Sequence, residues 1–155
     1  MESLGASFAA QARAALAGHP GLAHHWEVDG AGCGSIHFPA APGGFEVAVE
    51  IEADQVTVHA GGAHDHFECA PNEPDVAAVA AAALGLVRDL LSPDMRVREL
   101  RAGERPYRVH IERRSGQGWA VESTTGLLVW NYFAARSERI YQNRHLAGRL
   151  ASPAP

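Results

Sequence analysis

The sequence contains no lysine: all 13 of its basic residues are arginine. Cysteine occurs only at Cys33 and Cys69, which excludes a disulfide-stapled scaffold and predicts two reduced thiols. There is no HExxH run and no paired CxxC, so the familiar zinc motifs are missing. Long apolar runs are missing too. The longest, residues 76–87, is about a dozen residues with a glycine inside, and a membrane span needs about 20. The first residues lack the basic start, apolar core and cleavage site of a signal peptide. These absences predict a cytoplasmic protein with no membrane partner. A net basic footprint is also lacking, because the formal charge is −5. Phosphate binding rests on such a footprint, so no nucleic-acid partner is expected.

What is present fits an ordinary globular domain. At 155 residues and 46% hydrophobic content, the chain can bury a core without help from a metal or a disulfide. Residues 1–150 are expected to form one domain, with 151–155 a disordered tail. The abundance of alanine, glycine and arginine reads as the bias of a GC-rich bacterial genome, which bears on source and not on chemistry. Charge is segregated along the chain. Residues 1–95 carry two arginines and 13 acids, whereas residues 96–155 carry 11 arginines and five acids. Such asymmetry marks a partner surface when it survives folding, and cancels when the halves neutralise each other.

Periodicity predicts the elements. Phe8, Ala12 and Leu16 recur at helical spacing, giving a helix over 7–17 that ends at Gly18 and Pro20. Two short strands, 24–28 and 35–38, flank a turn at 29–34. Phe45, Val47, Val49 and Ile51 alternate with polar or small residues, which is the period of a strand with one buried face. After a tight connection at Ala53–Asp54, Val56 and Val58 continue that face. Gly61–Gly62 signals a hairpin, and a third strand runs through Phe67 and Cys69, where Cys69 is expected to be a buried thiol. A second helix is expected over 72–91, with Pro74 and Asp75 at its start. Strands follow over 95–100, 107–113, 119–123 and 127–133, and periodicity leaves 137–146 open between strand and helix. The fold class is therefore α+β, an antiparallel sheet built from two strand meanders, each preceded by a helix, with the helices packed on one face.

The Gly61–Gly62 turn brings histidines together. If its loop has two residues, His59 faces His64 and Thr57 faces His66. The three imidazoles then share the face opposite Val56, Val58 and Phe67. Across the Ala53–Asp54 connection, Glu50 lies opposite Thr57 and Glu52 opposite Gln55; Glu46 and Glu68 complete the polar face. His59, His64 and His66 are thus candidate ligands for a divalent metal such as zinc, with Glu50 and Glu68 as candidate acid–base or supporting groups. A meander with one solvated face also collects Glu, Thr, Gln and His without any site.

Other signals are weaker. Residues 30–34 (Gly-Ala-Gly-Cys-Gly) have the look of a phosphate loop, but a strand and not a helix follows, so a turn is expected. Trp119, Trp130, Tyr132 and Phe133 lie near the C-terminal end, and aromatics with arginine are common at interfaces. Trp130, Tyr132, Arg113 and Arg114 are the candidate interface residues, although Arg113–Arg114 at a hairpin also reads as a solvated charge pair. The aromatic strand 127–133 is expected either to form a homodimer edge or to be covered by 137–146. No complete catalytic constellation is visible. The leading expectation is a non-enzymatic protein-binding module of the regulator, adaptor or toxin-neutralising type, with no cofactor. The alternative is a metal-binding or acid–base domain using the His/Glu face.

Overall fold

The computed structural model describes residues 2–69, 75–126 and 132–148. In chain order the elements are α1 (Leu4–Ala17), β1 (His25–Val28), β2 (Gly34–Phe38), β3 (Val47–Ile51), β4 (Gln55–Ala60), β5 (Ala63–Glu68), α2 (Val76–Leu90), β6 (Met95–Ala102), β7 (Arg105–Ser115), β8 (Gly118–Gly126) and β9 (Arg136–Tyr141). The order helix-then-strands occurs twice, and the fold is α+β. The strands make two sheets and not one: five strands in the order β1-β2-β3-β4-β5, and four in the order β8-β7-β6-β9. The second group is not a pure meander, because β9 pairs with β6 and not with β8. No helix among the described residues is long and apolar enough to cross a membrane.

The chain divides into two compact units that interleave in sequence. One comprises Met1–Pro39, Glu46–His59 and His64–Arg88; the other comprises Ala40–Phe45, Ala60–Ala63 and Asp89–Pro155.

In the first unit, α1 begins three residues earlier than its apolar stripe predicts. The cause is a cap: Ser3 Oγ accepts a hydrogen bond from the Ala6 N–H at 3.1 Å, satisfying a donor that the first turn leaves open. Leu4, Phe8 and Ala12 are buried on one side of α1. Asp75 does the same for α2, its Oδ1 accepting from Ala78 N at 2.9 Å; the expected start at Asn72 and Pro74 lies outside the described residues. Gln11 of α1 donates to the Ala77 carbonyl of α2 at 3.1 Å, so the helices are neighbours. Ile36, Phe38, Val47, Val49, Ile51, Val56 and Val58 form the buried side of the sheet, and α1 lies against β3. The Gly61–Gly62 turn, whose residues belong to the second unit, has φ of +53° and +88°. Both residues are in the left-handed region, as a two-residue type I′ hairpin requires and as glycine allows without strain. Cys69 is half-buried and not fully buried, because it lies one residue beyond the end of β5.

In the second unit, Met95, Val97, Val109 and Ile111 bury one side of the sheet. Strand 107–113 extends to Arg105–Ser115, and the doubtful segment 137–146 resolves into β9 followed by a non-strand stretch. Asn143, 1% exposed, anchors that stretch. Its Oδ1 accepts from Phe45 N at 3.1 Å, and its Nδ2 donates to the carbonyls of Phe45 at 3.0 Å and Leu90 at 3.1 Å.

Candidate functional site

Two polar faces carry chemistry, one on each sheet. The histidine face belongs to the five-stranded sheet. Pairing sets it out in rows: His25 faces His37, His37 faces Ala48, and Ser35 faces Glu50. The Glu52 N–H donates to the Gln55 carbonyl at 2.8 Å across the β3–β4 connection, as the expected register requires. On the β4–β5 hairpin the His59 and His64 rings stand 5.8 Å apart, and the His64 and His66 rings 4.9 Å apart. His66 Nδ1 lies 2.9 Å from Thr57 Oγ1 and 2.7 Å from Gln55 Nε2. His59 Nε2 lies 3.3 Å from Glu50 Oε2. The sequence therefore places His59, His64, His66 and Glu50 together. Glu68 is exposed at the end of β5, and no ion pair or hydrogen bond joins its side chain to the cluster among the described residues. As the side chains stand, no three His, Cys, Asp or Glu groups among the described residues converge to hold a metal ion.

The second face is the outward side of the four-stranded sheet. In β6 and β7, residues alternate about the buried set, and cross-strand pairs fix the neighbours. Arg96 faces Glu112, Arg98 faces His110, and Leu100 faces Arg108; Arg98 also faces Ile140; Glu112 faces Val121, and Arg114 faces Trp119. Glu112 is only 2% exposed although it sits on the outward side. The Nε atoms of Arg96 and Arg98 approach its two oxygens at 2.6 and 2.7 Å. The Arg96 guanidinium lies 4.3 Å above the Trp119 ring centre, and that of Arg114 lies 5.5 Å from it. Arg98 reaches on to Glu138 at 3.6 Å. Neither Arg108 nor Arg114 is paired with a carboxylate among the described residues. Arg96, Arg98, Arg108 and Arg114 thus share this face with Glu112 and Glu138, and two of these guanidiniums lie within cation–π distance of one indole.

His110 reports the field there. Its ring donates to or accepts from Thr124 Oγ1 at 2.8 Å. Burial, then the nearby Arg98 guanidinium and to a smaller extent that of Arg108, hold its imidazole below the ordinary value of 6.5, against an opposing pull from Glu112. The folded state therefore takes up this proton less readily than the unfolded chain, and the stability tied to it declines as pH falls below 6.5. An NMR titration is expected to give His110 a midpoint under 6.5, and Arg98→Gln is expected to move it upward. A midpoint at or above the ordinary value would contradict this picture of the face.

The candidate interface residues fare unequally. Arg113 is not a solvated cation. It binds Asp89 at 2.6 Å and also Glu122, and these carboxylates, Glu122 foremost, raise its guanidinium above its ordinary value against the opposing effect of burial. Arg114 remains on the outward face against Trp119. Trp130 and most of strand 127–133 lie outside the described residues. Tyr132 and Phe133 form an exposed turn and not a strand, Tyr132 being 72% exposed; the next strand, β9, begins only at Arg136. The glycine loop at 30–34 is closed on itself, since Asp29 Oδ1 accepts the N–H groups of Ala31 and Cys33 at 2.8 and 2.9 Å. A cleft of about 420 Å³ is lined by Ala41, Pro42, Gly43, Ile140, Gln142, Arg144 and His145, and none of the clustered histidines lines it.

Arg96, Arg98, His110 and Glu112 were not among the residues singled out from the sequence. The signal was available: Arg-Val-Arg at 96–98 and His-Ile-Glu at 110–112 have period two, which puts the charged residues of each strand on one side. What defines the molecule at this point is a class, an α+β protein with two antiparallel sheets and two differently charged polar faces. No protein-family model matches the chain, and neither a curated protein nor a solved structure shows significant similarity to it.

Proposed function

We propose that the chain is a non-enzymatic protein-binding module whose arginine–tryptophan face takes an acidic segment of a partner protein. The observation that carries the reading is the outward side of the four-stranded sheet. There Arg96, Arg98, Arg108 and Arg114 outnumber Glu112 and Glu138, and two of the guanidiniums lie close to the Trp119 ring. Val121 and Ile140, 50% and 46% exposed, supply apolar area beside the charges. Arginine and tryptophan are the residues most enriched among those that dominate binding energy. A guanidinium already held by a carboxylate or a ring loses less freedom when a ligand carboxylate arrives. The overall charge of −5 favours an acidic protein segment over a long nucleic acid, which would meet repulsion beyond this face. The clustered histidines, by contrast, do not line the cleft described above, and His64 and His66 are exposed on the sheet face.

Fluorescence anisotropy with a labelled poly-glutamate peptide tests the reading. Binding is expected at low salt and is expected to fade as salt screens the charges. The pair Arg108→Gln and Arg114→Gln avoids the buried Glu112 and is expected to weaken binding about tenfold, roughly 1.4 kcal/mol, with the melting temperature little changed. If the peptide fails to bind at low salt, or the double variant binds it as well as the wild type, the assignment of this face is wrong. Tighter binding of a duplex DNA of the same charge would replace it with a nucleic-acid reading.

A further inference from the structure

The histidine face holds a nitrogen without a hydrogen bond. His59 Nε2 is inaccessible to solvent and makes no hydrogen bond, although Glu50 Oε2 is 3.3 Å away. The contact is close, but its direction is poor for an N–H donor. A polar atom in this state needs an explanation, and a bound ion is one that the spacing fits. Two ligand atoms on a tetrahedral zinc, each bonded at about 2.0–2.1 Å, lie about 3.3–3.4 Å apart. That is the His59–Glu50 separation. On the same geometry, two bound imidazoles have ring centres about 5.2 Å apart. The His59–His64 and His64–His66 separations, 5.8 and 4.9 Å, lie on either side of that distance.

We infer that His59, His64, His66 and Glu50 form a binding site for an imidazole-preferring divalent transition metal such as zinc. This site is independent of the arginine–tryptophan face. His59 and Glu50 already stand at ligand spacing. His64 and His66 are exposed, and exposed side chains exchange rotamers within nanoseconds, so both rings can turn onto the ion that the first two ligands hold. His66 carries its own support. Its Nδ1 lies beside Thr57 Oγ1 and the Gln55 amide. The Gln55 atom nearest Nδ1 is its amide nitrogen, a donor, so the Gln55 amide has to turn away; Thr57 Oγ1 then accepts the Nδ1 proton and leaves Nε2 as the ligand, which is how the second nitrogen of a metal-bound histidine is usually anchored. Three neutral imidazoles and one carboxylate are a donor set suited to zinc, cobalt or nickel and poorly suited to calcium or magnesium. The two other histidines, His25 and His37, face each other and have their own carboxylate neighbours, Glu27 and Glu46, and they take no part.

Calorimetric titration of untagged protein with Zn²⁺ tests the site, with Co²⁺ as the spectroscopic probe. One ion per chain is expected to bind, and Co²⁺ is expected to give the intense visible bands of a tetrahedral site. His59→Ala, His64→Ala and Glu50→Gln are each expected to weaken Zn²⁺ binding at least tenfold. The pair His25→Ala and His37→Ala is expected to leave it unchanged. His64 is exposed, so His64→Ala decides the matter should His59→Ala lower the melting temperature without metal. Absence of binding by the wild type overturns the proposal. So does binding that His64→Ala leaves intact, or that depends equally on His25 and His37, since either marks general adhesion of metal to a histidine-rich surface.

Discussion

Asn143→Ala is expected to lower the free energy of unfolding by about 3–5 kcal/mol, to be read from the shift of a urea midpoint. The Asn143 carboxamide makes three hydrogen bonds, all to main-chain groups, and two of them go to the same residue, Phe45. It thus stands in for a strand partner, matching the N–H and the C=O of one residue at once. Alanine leaves an N–H and two carbonyls without partners where water does not reach. Each such group costs about 1–3 kcal/mol, and the cavity adds to the total. Asn143→Asp is the sharper control. It keeps the shape but turns an oxygen toward the carbonyls of Phe45 and Leu90, so it should be no better than alanine. The same contact explains Gly44. A Cβ there would lie 2.3 Å from Asn143 Oδ1, and no nearby rotamer of a side chain bonded at three points relieves that. A loss under about 1 kcal/mol for Asn143→Ala would mean that the loop before Phe45 is held by something else.

Glu112→Gln is the second large effect, expected at about 2–3 kcal/mol. Breaking a fully buried ion pair costs about 3–5 kcal/mol, because the remaining charge stays out of water. Here the arginine side chains keep 20% and 29% of their exposure, so solvent screens part of the loss. Glutamine preserves size and two hydrogen-bonding atoms, which isolates the charge. Two guanidiniums then face each other across a neutral amide, and among the described residues only Arg98 retains a second carboxylate, Glu138. The change should also reach the binding face. With its anchor gone, Arg96 loses its fixed place over Trp119, and a change in tryptophan emission should accompany the lower stability. Stability equal to wild type within error would show that the arginines are held by Trp119 and Glu138 alone.

Much of the fold was legible in the sequence, and the reasons differ by element. The β3–β4–β5 register followed from two short connections, because a two-residue loop fixes which residues oppose. It correctly grouped His59, His64, His66 and Glu50. The α1 start was missed because a cap is a local hydrogen bond, which apolar periodicity does not record. The separation into two sheets was missed for a different reason: alternation shows which residues of a strand are buried but not which strand lies beside which. The same blindness hid the arginine face. Arg96 and Arg98 looked like ordinary outward charges until the pairing of β6 with β7 set Glu112 between them. Arg113 and Arg114, adjacent in sequence, point to opposite sides of a strand and have unrelated partners. A reading of them as one charge pair was bound to fail.

The pairing of β9 with β6 has a kinetic meaning. The turns at Gly103–Glu104 and Gly116–Gln117 let β6, β7 and β8 assemble as nearest neighbours, each step closing a short loop. Adding β9 instead requires the chain to return from the far edge and close a much longer one. The entropy lost grows only with the logarithm of loop length, so the arrangement costs little once formed, but contacts between distant residues are slow to find. The four-stranded sheet therefore has a quick part and a late part. Asn143 follows β9 directly, so the loop before Phe45 is fastened only after that late strand is in place.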